Sequence, residues 1–219
     1  MSMQERTVLT NMAAELGAET GSIEPDETTL AAIRSSGNEP AADALSWNSD
    51  PDANYTAIHD FQADALTPQV AAPHSPANSA AVDEFDGVTV DQAYIGACVG
   101  AKLSDLHMVA EILDGRQVAR HTRLLVAPAS KHIMTTAAAD GTLAKITAAG
   151  AILLSTGCGA CAAMGAGILA DKEVCISSTN RNFKGRMGAN SASIYLASPY
   201  TVAATAVAGH ITDPREMLA

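Results

Sequence analysis

Aromatic residues and long apolar runs are scarce in this sequence. Aromatic side chains make up 4% of the 219 residues, although the hydrophobic fraction is an ordinary 47%. This composition suits helices packed closely on a sheet better than an aromatic-rich sandwich or barrel. No apolar run reaches the ~18 residues of a membrane span, and the first residues lack the basic and apolar regions of a signal peptide. We therefore expect an α/β protein of the cytoplasm.

Positive charge is also scarce. Thirteen Lys and Arg stand against 24 Asp and Glu, which gives a formal net charge of −11. Nucleic acids and anionic membranes bind basic surfaces, so neither is expected as a partner. A small carboxylate substrate stays compatible with this charge, because a few locally placed Arg are enough to bind it.

The sequence has only four cysteines, at positions 98, 158, 161 and 175. In a cytoplasmic protein they are expected to be reduced thiols or metal ligands rather than structural disulfides. Cys175 lies within the apolar run VCISS, which predicts a buried structural thiol.

The chain divides by composition at about residue 86. Residues 1–86 contain two short helices, ended by Gly17 and Gly37, and then a Pro- and Asn-rich connection with a strand-like YTAIHDF and a PHSP turn. Residues 87–219 alternate strand and helix, which predicts a three-layer α/β/α domain with a mostly parallel sheet. The predicted elements are VDQAYIGAC, a helix over 103–113, RLLVAPAS, a helical stretch over 131–149, AILLST, VCISS, SIYLASP and a helix over 200–208.

Three of the cysteines follow predicted strands. Cys98 ends VDQAYIGAC, and Cys158 and Cys161 lie in GCGAC directly after AILLST. Ligands bind at the carboxyl ends of parallel strands, so the three thiols could meet at one metal centre. Soft thiolates select zinc, copper(I) or an iron–sulfur cluster. The CxxC spacing alone fits a redox dithiol, half a zinc site or two buried thiols as well.

Two further groups of polar residues are candidates for a site. Arg181 and Arg186 lie with Asn180 in the loop STNRNFKGRMG, where two guanidinium groups could bind two carboxylates or form ordinary surface ion pairs. Asn11 and Glu15 are four residues apart and are expected to share one helix face. Without further information Glu15 is a surface residue.

Seven segments, in order, resemble the second half of aconitase-family large subunits, most closely those that act on isopropylmalate and related small dicarboxylates. The segments are TNMAAELGA, IEPDETTL, PQVAAPHSP, YIGACVGAKLSDL, STGCGACAAMG, STNRNFKGRMG and YLASPYTVAATAVAGHI. The resemblance implies an iron–sulfur hydro-lyase component of leucine biosynthesis. It also implies that residues 1–86 are the remnant of a preceding aconitase-like domain.

The resemblance implies a role for each candidate residue. Cys98, Cys158 and Cys161 match the ligands of a [4Fe-4S] cluster whose fourth iron has no protein ligand and binds the substrate as a Lewis acid. Glu15 matches the acidic residue beside the substrate hydroxyl, and Asn11 a cluster-side amide. The substrate-carboxylate binders are matched by Arg181 and Arg186, with Asn180 beside them.

Two departures from the family pattern limit what the resemblance implies. The family commonly has Thr and Asn after the first cluster cysteine, whereas this chain has Val99 and Gly100. A dicarboxylate hydratase of the dimethylmaleate or maleate type is therefore an alternative to isopropylmalate dehydratase. The preceding half of the family's large subunit and the serine base of its small subunit are not in this sequence. Partner chains are thus expected to supply them, and a non-catalytic metal-binding fragment is the other alternative.

Overall fold

The computed structural model describes residues 1–218. The chain forms two compact units, Met1–Ala65 and Leu66–Ala219. The second unit begins before the boundary predicted at residue 86. The reason is that a β-hairpin within residues 66–86 pairs with the last strand of the α/β sheet. No helix within residues 1–218 is both long enough and apolar enough to cross a bilayer.

The first unit contains the two predicted helices. Helix α1 (Met3–Met12) begins at a capping box between Ser2 and Glu5 and continues as a 3-10 turn, Ala13–Leu16, which Gly17 ends at φ +82°. Helix α2 (Glu27–Ser35) begins at Asp26, and Gly37 follows it at φ +82°. The Arg6 guanidinium, itself buried, pairs with Asp26 at 2.6 Å and joins the starts of the two helices. This pairing lowers the pKa of Asp26 to about 2.

The connection after α2 differs from its prediction. The strand-like segment 55–61 is irregular, and its apolar side chains are exposed. Within residues 1–218 it pairs with no other strand. Short 3-10 turns lie at Ala44–Ser46 and Ala63–Ala65. Two strands that the composition did not reveal, β1 (Gln69–Ala71) and β2 (Ser79–Ala81), flank the predicted PHSP turn as an antiparallel hairpin.

The second unit contains a seven-stranded sheet in the order β2-β1-β7-β6-β3-β4-β5. Strands β7, β6, β3, β4 and β5 run parallel to one another, whereas β1 pairs with β7 in the antiparallel direction. The remaining strands are β3 (Gln92–Gly96), β4 (Arg123–Ala127), β5 (Ile152–Leu153), β6 (Val174–Ser177) and β7 (Ser193–Ala197). The helices of this unit are α3 (Ala97–Gly100), α4 (Leu103–Leu113), α5 (Lys131–Ala139), α6 (Thr142–Ala148) and α7 (Pro199–Ala208), with 3-10 turns at Val82–Phe85, Gly159–Ala162 and Pro214–Glu216.

The predicted mostly parallel, three-layer α/β architecture is confirmed. Alternate residues of each strand face opposite sides of the sheet. Ile95 and Val126 pack in one core cluster with α4 to α7, whereas Tyr94 and Leu125 pack in a second cluster on the other face. That second face is covered by the connections after β5 and β6. In residues 1–218 these connections contribute one 3-10 turn and one isolated β-bridge, between Leu169 and Gly188, and are otherwise turns and irregular chain.

Two predicted elements are shorter than expected. The helical stretch over 131–149 is broken into α5 and α6 by Gly141 at φ +86°, a conformation that only glycine adopts without strain. Strand β5 pairs over only two residues of AILLST, because the chain leaves the sheet edge after Leu154, whose amide still donates to the Val126 carbonyl, to enter the cysteine loop. Helix α4 has the predicted bounds.

Candidate functional site

The site residues of the second unit lie at the carboxyl edge of the parallel strands. The chain runs from β3 outward through β4 to β5, and then returns to place β6 on the other side of β3. This reversal is a topological switch point, the place where open α/β sheets bind ligands. The turn after β3 carries Cys98, the connection after β5 carries Cys158 and Cys161, and the loop after β6 carries Arg181 and Arg186.

Cys98 lies two residues beyond the end of β3, which was expected to end at it. It is exposed on α3, and Ala97 before it adopts a left-handed φ of +64°. Ser178, directly after β6, holds this turn in place. Its Oγ donates to the Gly100 carbonyl at 2.8 Å and accepts from the Gly96 amide at 3.2 Å. The Cys98 turn is therefore fixed to the start of the arginine loop.

The Cys158–Cys161 loop is a tight 3-10 turn. The Cys161 amide donates to the Cys158 carbonyl at 3.0 Å. Cys158 is exposed and Cys161 is buried. Ala163, directly after the turn, has a left-handed φ of +54°. Only three residues other than glycine have positive φ in the described chain, and two of them, Ala97 and Ala163, lie within two residues of a candidate ligand. Such strained backbone is concentrated at functional sites.

The arginine loop contacts the cysteine loop directly. The Arg186 Nη2 lies 3.6 Å from the Cys161 Sγ. The Arg186 Nε is buried and has no hydrogen-bond partner among residues 1–218, so it is a donor available to a ligand. Asn180 is buried and Arg181 half-buried. Asn182, in contrast, points into the core and donates to the carbonyls of Ala72 at 2.8 Å and Ile194 at 3.2 Å.

Two buried groups beside the loop keep their protons. Burial, and then the neighbouring Cys161, raises the pKa of Tyr94 to about 12, so its phenol is a hydrogen-bond donor. Burial also raises the pKa of the Cys175 thiol to about 12. The prediction that Cys175 is a buried thiol is confirmed.

Glu15 and Asn11 lie in the first unit. Asn11 lies in the last turn of α1 and Glu15 in the 3-10 turn that continues it, so the two residues are not on one continuous α-helix. Asn11 is exposed and Glu15 is half-buried.

Comparison with known proteins decides the family. The profile of the aconitase family (aconitate hydratase) matches residues 1–209. The chain belongs to the aconitase family. Among the relatives of this aconitase-family chain is the 3-isopropylmalate dehydratase large subunit 2 of Archaeoglobus fulgidus, 45% identical over all of this chain and 52% of that protein.

Two other relatives of this aconitase-family chain carry different names. The homoaconitase large subunit of Thermus thermophilus is 44% identical over 97% of this chain and 49% of that protein. The probable methanogen homoaconitase large subunit of Methanosarcina mazei is 42% identical over 99% and 54%. The chain spans about half the length of the curated relatives it matches.

Aconitase-family proteins generally bind a [4Fe-4S] cluster. As they stand, no three Cys, His, Asp or Glu side chains within residues 1–218 form a group that could hold a metal ion. The donor set nevertheless fits a cluster in kind, because three soft thiols follow two strands that end at one edge, and two of the thiols are exposed. The unpaired Nε of Arg186 beside Cys161 fits an anionic ligand at the same place.

Sequence reasoning missed the residues that hold these loops together. Tyr94, Gln92 and Ser178 are buried and bond to backbone atoms more than 60 positions away in the chain. Tyr94 and Gln92 lie in a strand pattern that predicts only core packing. No local signal marks such long-range contacts.

Proposed function

We propose that the chain is the cluster-binding component of an iron–sulfur hydro-lyase of the 3-isopropylmalate dehydratase type. The observation that carries the proposal is the contact between the Cys161 sulfur and the Arg186 guanidinium at the switch point of the sheet. It brings a soft metal ligand and a carboxylate-binding group to one place. The names of the relatives support the same chemistry.

In this proposal the thiolates of Cys98, Cys158 and Cys161 hold a [4Fe-4S] cluster. When bound, the cluster supplies a Lewis acid for the substrate hydroxyl through its iron without a protein ligand. Arg181 and Arg186 bind the substrate carboxylates by paired, charge-assisted hydrogen bonds. The buried, unpaired Nε of Arg186 is one of the donors that such a substrate would satisfy.

Dehydration breaks one C–H and one C–O bond of a hydroxy diacid and releases water. We assign the Glu15 carboxyl to give a proton to the leaving hydroxyl, and Asn180 to support the bound carboxylate beside Arg181. The proton of the C–H bond goes to a base outside this chain, the serine of a small subunit. The relatives are named large subunits, which supports a small-subunit partner.

The relatives are about twice as long as this chain, so the proposal leaves the rest of the large subunit's active site to residues outside the sequence described here. For a dehydratase of leucine biosynthesis the expected compartment is the cytoplasm. A small di- or tricarboxylate is the expected substrate, because homoaconitase subunits are among the relatives.

A related dicarboxylate hydratase, of the dimethylmaleate or maleate type, is the second candidate. Val99 and Gly100 replace the hydroxyl and amide that the family commonly has beside the cluster. Val99 is buried, and Gly100 packs against Ser178 with no room for a side chain. The turn therefore lacks a hydroxyl and an amide at these two positions, and this departure is the reason for a second candidate substrate class.

The experiment that tests the proposal is anaerobic purification of the chain and of four Cys→Ala variants, followed by iron and sulfide analysis. Cys98→Ala, Cys158→Ala and Cys161→Ala are each expected to lose a stable cluster, because two thiolates hold a cubane poorly. Cys175→Ala is the matched control, because its thiol is buried and protonated, and it is expected to keep the iron of the unmodified chain.

Iron that survives in one of the three ligand variants, or disappears in Cys175→Ala, would contradict the ligand assignment. The isolated chain is expected to turn over no isopropylmalate, even with a cluster, because the base belongs to a partner. Copurification of a small subunit with the chain would support the enzyme over the alternative of a non-catalytic metal-binding fragment.

A further inference from the structure

The connection between β5 and β6 has little regular structure of its own. Residues 154–173 contain one 3-10 turn, Gly159–Ala162, and cover the face of the sheet opposite the helices. This segment nevertheless carries two candidate cluster ligands, whose positions relative to Cys98 must be held within a fraction of an ångström if they are to share a cluster. Contacts with the rest of the fold must therefore fix it; backbone hydrogen bonds between Leu169 and residues 187 and 189 do so near its end.

Two side chains of β3 bond to this segment. The Tyr94 hydroxyl donates to the Cys158 carbonyl at 3.2 Å, and the Gln92 Nε2 donates to the Gly167 carbonyl at 2.8 Å. Both residues are completely buried, and as residues i and i+2 they point to the same face of the sheet. One bond is near the start of the segment and the other beyond the cysteine turn. The same strand leads directly into the Cys98 turn.

The Tyr94 ring fills the space between β3 and the cysteine loop, and two glycines lie in close contact with it. A Cβ at Gly96 would lie 2.7 Å from the Tyr94 hydroxyl oxygen, and a Cβ at Gly159 would lie 3.1 Å from it. The ring thus lies over the residue that precedes the Cys98 turn and ends against the residue that follows Cys158. A side chain at Gly96 would force the phenol to move, and one at Gly159 would require a shift of a few tenths of an ångström.

The Gln92 amide is held by a second set of contacts. Its Oε1 accepts from the Arg123 Nη2 at 3.2 Å, and Arg123 pairs with Glu173 at 2.7 Å. With the oxygen occupied in this way, the amide nitrogen faces Gly167. Arg123 therefore orients the Gln92 amide toward Gly167, and the bond to Gly167 fixes the chain beyond the cysteine turn.

We propose that Tyr94 and Gln92 are positioning residues that set the Cys158–Cys161 turn against the Cys98 turn. The proposal rests on the proposed function for the role of these thiols as cluster ligands. The positioning of the two turns itself does not require a cluster. Tyr94 acts through the Cys158 carbonyl, which also accepts the Cys161 amide and so joins the two thiols of the loop.

The test is Tyr94→Phe in the full chain, which removes the hydroxyl and keeps the ring. Tyr200→Phe is the matched control, because its hydroxyl donates to Glu111 at 2.6 Å, outside the cysteine loop. Backbone amide exchange is measured by mass spectrometry on peptides that cover 157–164. Tyr94→Phe is expected to speed exchange there about fivefold, the equivalent of one hydrogen bond of ~1 kcal/mol. The helix α4 should be unchanged, and Tyr200→Phe should leave 157–164 unchanged.

A second measurement follows iron release to a chelator after anaerobic reconstitution. Tyr94→Phe and Gln92→Leu are both expected to release iron several-fold faster than Tyr200→Phe. Unchanged exchange over 157–164 in Tyr94→Phe would overturn the positioning role, as would a uniform increase over all peptides, which marks a merely structural residue. If the unmodified chain binds no cluster, the proposed function fails, whereas the exchange result still decides the positioning.

Discussion

Gly100 is a position in the candidate site where the packing leaves no space for a side chain. A Cβ added there would lie 2.6 Å from the Ser178 Cβ and closer still to the Ser178 carbonyl oxygen. Carbon atoms in contact prefer ~3.5 Å or more, so Gly100→Ala requires the Cys98 turn and the end of β6 to separate by about 1 Å. Neither of these two atoms can move aside as the end of a flexible side chain could, because one is the backbone oxygen of Ser178 and the other is its Cβ.

The expected cost follows from that separation. Overpacking of this kind costs ~1–3 kcal/mol. The movement would also weaken the two Ser178 hydrogen bonds to Gly96 and Gly100, each worth ~1 kcal/mol. We expect Gly100→Ala to lower the free energy of unfolding by about 2–4 kcal/mol. For a domain of this size the melting temperature should fall by roughly 5–10 °C.

The assay is thermal and urea unfolding of the full chain, followed by circular dichroism. Gly115→Ala is the control. Gly115 has a positive φ of +71° and open space around it, so its cost is limited to backbone strain of ~1 kcal/mol. Gly100→Ala must therefore destabilise the protein more than Gly115→Ala does. Equal stability of the two variants would refute the close packing of the Cys98 turn on β6.

Two further predictions concern the arginines and the buried thiol. In the assembled enzyme, Arg181→Lys and Arg186→Lys should each lower kcat/KM about tenfold or more, on the order of 1.4 kcal/mol, with iron content preserved; near-normal kinetics would make them ordinary loop residues. Cys175 should resist alkylation at pH 8 in the folded chain while Cys98 and Cys158 react. A thiol with a pKa of about 12 is only ~0.01% thiolate at that pH, so labelling of native Cys175 at the rate of exposed thiols would contradict its burial. Because folding raises this pKa, the associated stability is present below the unfolded thiol's pKa, near 8.5, and is lost as the pH rises toward 12.

Local sequence signals determined the elements whose stabilising contacts are themselves local. Helix α4 begins and ends where its apolar periodicity does, and Gly17 and Gly37 end the N-terminal segments as predicted. Both depend on interactions a few residues apart. The segment 55–61 resembles a strand by the same criteria, but a strand also needs a partner, which local sequence does not reveal.

The sequence by itself determined the family, the parallel α/β architecture and the residue types of the candidate site, because motif order and periodicity are written along the chain. Only the tertiary structure decided that Arg186 meets Cys161, that Ser178 closes the Cys98 turn, and that Tyr94 reaches Cys158. These contacts join residues from 25 to 82 positions apart. They form because the chain returns after β5 to place β6 on the other side of β3. Local propensities do not predict that strand order.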